Sequence, residues 1–184
     1  PVGGALVLSG NGELLDRVAS SYAGRASCAA TLDTFLSLLN VGKRKYRELL
    51  EERELAHSSL LHSLRTTFPP HSILSPPSNP ISIALLLPQA LQHTHPHLPP
   101  PTPAQATALG SLLFARGVSG ARVVGVVVKD IGGHEFVAWG AHTTLPSPSY
   151  ITFAAALGLS RDDVPILMKR FLKAWKAWTK GLEK

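Results

Sequence analysis

The chain has 184 residues, 45% of them hydrophobic, and a formal net charge of +6 at pH 7. These values exclude a chain disordered throughout, provide for a buried core, and are compatible with an anionic partner (nucleic acid, a phosphate ligand or an acidic protein) without requiring one. The single cysteine, Cys28, excludes an internal disulfide and fits a reducing compartment, and no apolar run reaches the roughly 18 residues of a membrane-spanning helix.

Residues 4–9 (GALVLS) predict a short buried strand, after a Gly3-Gly4 pair that permits close approach of a ligand. Asn11 caps a helix to about Ser20, with Glu13 in the first turn where the helix dipole favours it. Gly24 ends that segment. A second helix is expected from about Ser27 to Leu39, with Leu32, Phe35, Leu36 and Leu39 on one face, and Cys28 reads as a small buried filler at its start. A third helix is expected over about 42–67, its charged side solvated, until Pro69-Pro70 stops it. Residues 80–87 (PISIALLL) read as a strand, and the Pro- and His-rich segment at about 88–103 as a loop or insertion. Residues 104–115 then predict a helix. Strands follow at about 121–129 and 134–141, joined by a turn at Asp130-Ile131-Gly132-Gly133. Pro146 and Pro148 break the chain before a short helix at roughly 149–157. The last helix, about 161–181, is capped by Ser160 and has Asp162 and Asp163 in its first turn. Val164, Leu167, Met168, Phe171, Leu172, Trp175 and Trp178 form its apolar stripe; Lys169, Arg170, Lys173, Lys176 and Lys180 occupy the rest. The expected architecture is an α/β layered domain with a small, mainly antiparallel sheet.

Arg25 stands among small residues in YAGRASCAAT, just ahead of the second helix. The helix end offers unpaired N–H groups, the guanidinium offers a planar fork of donors, and the small neighbours leave room for an anion. A salt bridge to a nearby carboxylate is the competing role. Arg116 and Arg122 flank the Gly/Ser loop of ARGVSGAR, which suits phosphate or base-edge contacts or serves as a solvated connection. His93, His95 and His97 alternate as chelating residues can, but no cysteine or carboxylate accompanies them, and they point to no metal site. His142, at the end of a strand, reads as a hydrogen-bonded surface residue. Ser-His-Asp order, HExxH, a Walker loop and GxGxxG are all missing from the sequence.

The stretches PVGGALVLSG, YAGRASCAATLDTFLSLLNVG, NPISIAL, GSLLFARGVSGARVV and HTTLPSPSYITFAAALGL occur in this order. Over nearly its whole length the chain resembles the C-terminal part of the O-phosphoseryl-tRNA(Sec) selenium transferases, the selenocysteine synthases. The resemblance implies the C-terminal region of a fold-type-I pyridoxal-phosphate (PLP) transferase. Residues 1–40 would end the cofactor-binding large domain, and residues 41–184 would form a small domain with an insertion at about 88–103. It also implies a cytoplasmic homotetramer, not membrane-bound, that converts O-phosphoseryl-tRNA(Sec) to selenocysteinyl-tRNA(Sec) with selenophosphate as selenium donor. By the same resemblance Arg25, in Gly24-Arg25-Ala26-Ser27, grips the substrate phosphate. Arg116 reads the acceptor end of the tRNA, and Arg122 supports the tRNA or the active site. The family's Schiff-base lysine is expected shortly before Pro1, so a catalytically silent C-terminal fragment is expected. A non-catalytic RNA-binding module, resting on the basic last helix and the Arg116/Arg122 loop, is the alternative. Another fold-type-I enzyme, such as a decarboxylase or cysteine desulfurase relative, has no need of the FARGVSGARVV stretch.

Overall fold

Apolar spacing and turn chemistry build five α-helices and six strands in the computed structural model, which describes residues 7–22, 24, 27–141 and 147–183. Two compact units divide the chain, Pro1–Glu48 and Leu49–Lys184.

In the first unit, helix α1 (Gly12–Ser21) begins where Asn11 accepts a hydrogen bond from the Leu14 N–H at 3.3 Å, as its cap position requires. The strand expected at 4–9 falls largely outside the described residues, and Val7–Ser9 carry no strand. Helix α2 (Ala29–Thr67) contains the two helices expected at 27–39 and 42–67, which meet at a kink. Its one non-helical residue is Gly42, at φ 69°, ψ 164°, a left-handed backbone that favours glycine. Ser27 accepts from the Ala29 N–H at 3.3 Å ahead of that helix. Leu32, Phe35, Leu36 and Leu39 do share a face, but each is at least half exposed. Cys28 is exposed rather than a buried filler, because it precedes the first turn of a helix whose adjoining face is uncovered.

The second unit holds the core. The later part of α2 buries Ala56, Leu60 and Leu64, one face at helical spacing, followed by Phe68. Pro69-Pro70 ends the helix, and a 3-10 turn (Pro70–Ser72) leads into a two-residue strand, β1 (Ile73–Leu74). The Asn79 side chain accepts from the N–H groups of Ile81 and Ser82 at 3.1 and 2.9 Å, turning the chain into β2 (Ser82–Leu86). The segment expected to be loop at 88–103 opens instead with helix α3 (Leu87–Thr94), because Pro88 is tolerated in a first turn and Leu87, Ala90 and Leu91 bury against the core. Helix α4 (Pro103–Phe114) starts on a reciprocal pair: Thr102 Oγ1 accepts from the Gln105 N–H at 3.2 Å, and Gln105 Oε1 accepts from the Thr102 N–H at 2.9 Å.

The strand expected at 121–129 divides into β3 (Ala121–Val124) and β4 (Val127–Ile131), and β5 (His134–Trp139) pairs with β4 as a separate hairpin. Gly132 and Gly133, at φ 61° and 81°, make its tight turn. Residues 150–154 are strand β6 (Tyr150–Ala154), not the helix expected at 149–157. Ile151 and Phe153 alternate into the core, and β6 hydrogen-bonds on both sides, so tertiary pairing decides its conformation. The four-stranded sheet has the order β1-β2-β6-β3 and is antiparallel throughout.

Helix α5 (Asp163–Leu182) opens with Ser160 Oγ accepting from the Asp163 N–H at 3.2 Å while Asp163 Oδ2 accepts from the Ser160 hydroxyl at 2.6 Å. The Ser160 hydroxyl, and then the Ser160 N–H donating to the same oxygen at 3.0 Å, hold the Asp163 carboxyl below its ordinary pKa. Val164, Met168, Phe171, Trp175 and Trp178 of the expected stripe are buried, whereas Leu172 is exposed. Phe171 stacks edge-on to Phe153 with centroids 5.0 Å apart, joining α5 to the sheet, and Phe68 meets Trp175 at 5.2 Å, joining it to the end of α2. Trp178 Nε1 donates to the Gln105 carbonyl at 2.7 Å, fixing α5 to the first turn of α4.

Candidate nucleic-acid interface

The ARGV stretch is a helix terminator. The Val118 N–H donates to the Leu113 carbonyl at 3.0 Å and the Gly117 N–H to the Phe114 carbonyl at 2.9 Å. These are the two bonds of a Schellman motif, and the residue between them must take left-handed backbone. Gly117 does so at φ 68°, and Val118, 5% exposed, plugs the turn into the core. Arg116 is therefore held by its backbone at the end of α4. Its side chain is half-buried, and Nη1 donates to the Leu112 carbonyl at 2.9 Å, where the negative end of the helix dipole favours a cation.

Arg122 sits on edge strand β3 opposite Thr152 and is exposed. Successive strand residues face opposite sides. Val123 meets Gly110 of α4, at 3.7 Å or less from the position of a Cβ there, so Arg122 points to the other face of the sheet. Arg122 thus points away from α4, whereas Arg116 stands at the C-terminal end of that helix. Arg25, with Ala23 and Ala26, lies outside the described residues, as does His142. Gly24 is described: a Cβ there would meet the Tyr22 ring at 2.5 Å.

Two features of the basic surface depend on folding. Lys169, Lys173, Lys176 and Lys180 are all exposed, and their spacing of four, three and four residues places them in one stripe along α5. None of them is in an ion pair among the described residues. The lysines were evident in the sequence, and burial of Phe171, Ala174, Trp175 and Trp178 settles that the stripe faces water. The second feature carries no local sequence signal. Arg170 Nη1 donates to the Gly117 carbonyl at 3.1 Å, across 53 positions. Between that turn and the start of α5 lies an open cleft of about 310 Å³ lined by Gly117–Gly120, Ala154, Leu159 and Ile166 among others.

His95 and His97 place their rings 6.1 Å apart, and His97 Nε2 lies 3.8 Å from Glu183 Oε1. Among the described residues, no three His, Cys, Asp or Glu side chains gather as metal ligands. No described helix is long and apolar enough to cross a membrane. Every described lysine is exposed.

Residues 1–176 match the sequence profile of the family described as O-phosphoseryl-tRNA(Sec) selenium transferase, SepSecS. A protein of that name from Dictyostelium discoideum is 30% identical over 183 residues, covering 94% of this chain and 38% of the relative. The one from Caenorhabditis elegans is 30% identical over 189 residues, covering 100% of this chain and 37% of its own length. The one from Methanopyrus kandleri is 30% identical over 173 residues, covering 92% of this chain and 35% of its own length. The chain therefore spans less than two fifths of the length of these relatives.

Proposed function

The chain belongs to the O-phosphoseryl-tRNA(Sec) selenium transferase family, and from that premise we propose that it is the C-terminal part of an enzyme that converts O-phosphoseryl-tRNA(Sec) to selenocysteinyl-tRNA(Sec). Selenophosphate is the selenium donor in this reading, and the whole protein is a cytoplasmic homotetramer of the fold-type-I class. Residues 1–40 belong to its large domain and residues 41–184 to its small one. Pyridoxal phosphate supplies the electron sink for loss of the substrate's phosphate. In this reading its Schiff-base lysine lies outside residues 1–184.

Within this chain the proposed roles are those of binding. Arg25 grips the substrate phosphate through charge-assisted hydrogen bonds. Arg116 contacts the acceptor end of the tRNA, and Arg122 supports the tRNA or the active site. The observation that carries the RNA part is the unpaired lysine stripe of α5 in the same compact unit as Arg116. A row of lysines on one helix face follows a phosphate backbone and releases its counterions.

The test uses the full-length protein of the same gene with phosphoseryl-tRNA. Borohydride should trap pyridoxal phosphate on a lysine outside residues 1–184. Arg25→Ala should lose turnover by the equivalent of about 2–4 kcal/mol, with a smaller loss of tRNA affinity. Equal losses in both would count against the phosphate role. Arg116→Ala should weaken tRNA binding and lower the salt dependence by about one counterion. Bound tRNA with no trapped cofactor and no turnover would leave the RNA-binding module as the function.

A further inference from the structure

We infer that Arg170 is a positioning residue for Arg116: its guanidinium clamps the turn that carries Arg116 onto helix α5 and fixes the direction in which Arg116 is presented. The inference rests on the reading of Arg116 as an RNA contact.

The turn is anchored unevenly. On one side Val118 is buried and Gly120 accepts from the Ala154 N–H at 2.9 Å, tying it to the core and the sheet. On the other side is the open cleft, which Gly117 and Arg170 line together. Across that gap Arg170 Nη1 reaches the Gly117 carbonyl at 3.1 Å. The fit is close: a Cβ on Gly117 would stand 3.2 Å from the same Nη1 and press on the contact, and the φ of 68° itself favours glycine. The bond also brings a cation to the C-terminal end of α4, where the exposed carbonyls carry negative partial charge. Arg116 leaves the backbone one residue before Gly117, so a turn free to rock would swing its guanidinium away from Leu112 and from any fixed partner. Arg170 has no place on the lysine stripe, which runs through Lys169, Lys173, Lys176 and Lys180. It is angled instead toward the turn, as a clamp should be.

The experiment measures tRNA binding across a salt series, and turnover, for the full-length protein with Arg116→Ala, Arg170→Ala and the two combined. Arg170→Ala should weaken binding about 5-fold, a modest value for one exposed charge-assisted bond. The melting temperature, the salt slope and kcat should stay unchanged while KM rises. In the Arg116→Ala background, removing Arg170 should cost nothing further, because the clamp then holds nothing that touches RNA. Additive losses with the slope reduced by about one more counterion would make Arg170 a phosphate contact itself and overturn the inference. A lowered melting temperature with equal losses in both backgrounds would overturn it in favour of general stability. Wild-type binding by Arg170→Ala would also overturn it, provided Arg116→Ala binds weakly. If Arg116→Ala itself binds normally, the RNA role of Arg116 fails and the clamp fails with it.

Discussion

Trp175 and Trp178 stand one turn apart on α5, yet their indole nitrogens are placed differently. Trp178 Nε1 donates to the Gln105 carbonyl, whereas Trp175 Nε1 is buried with no hydrogen-bond partner among the described residues. Trp178→Phe should therefore cost about 1–2 kcal/mol more in urea unfolding than Trp175→Phe, since only the first breaks a made bond. Gly117→Ala should cost about 1–2 kcal/mol from left-handed backbone alone, measured in the same way. His57 offers a pH test. Burial, and then the Arg53 guanidinium four residues earlier, push its pKa below the ordinary value, so the fold holds it neutral. As pH falls through about 6.5 the unfolded chain takes up a proton that the folded chain resists, and stability drops. The urea midpoint should fall less for His57→Gln than for the wild type between about pH 7.5 and pH 5.5. Equal falls would show that His57 titrates alike in both states.

At the scale of elements, capping and packing separate cleanly. Helix α4 has its reciprocal Thr102–Gln105 cap, and Thr102→Ala should cost about 1 kcal/mol in chemical denaturation. Phe171 links α5 to Phe153 of the sheet and to Phe68 and Trp175, so Phe171→Ala should cost about 3–5 kcal/mol. A loss as small as that of Thr102→Ala would mean that the aromatic cluster is not the centre of the core. The same comparison explains which elements were legible in advance. The caps at Asn11 and Ser160, the stop at Pro69-Pro70 and the Gly132-Gly133 turn are local chemistry. Strand β6 is different: the sequence YITFA suits either a strand or a short helical turn, and only its pairing with β2 and β3 decides.

For the whole molecule, the net charge of +6 gains meaning from where the charges stand. On α2 Lys45 pairs with Glu48 at 3.4 Å, whereas the α5 stripe has no described acidic partner. Exposed charges of this kind contribute little to folding. Replacing Lys173 and Lys176 together with glutamine should therefore leave the unfolding midpoint within error and lower the salt slope of tRNA binding by about two counterions. An unchanged slope would remove the stripe from the interface.

The sequence by itself determined the family, through several motifs in fixed order over nearly the whole chain, and with it the small antiparallel sheet layered with helices. It also determined most helix ends, because caps, prolines and glycines act within three or four residues of the bonds they control. Only the tertiary structure decided that Arg122 points to the face of the sheet away from α4, that the lysines of α5 face water as one stripe, and that Arg170 reaches Gly117. Periodicity says which residues share a face, but what covers that face depends on segments far away in the chain. The uncovered Leu32, Phe35, Leu36 and Leu39 face, and the 53 positions between Arg170 and Gly117, are both of this kind.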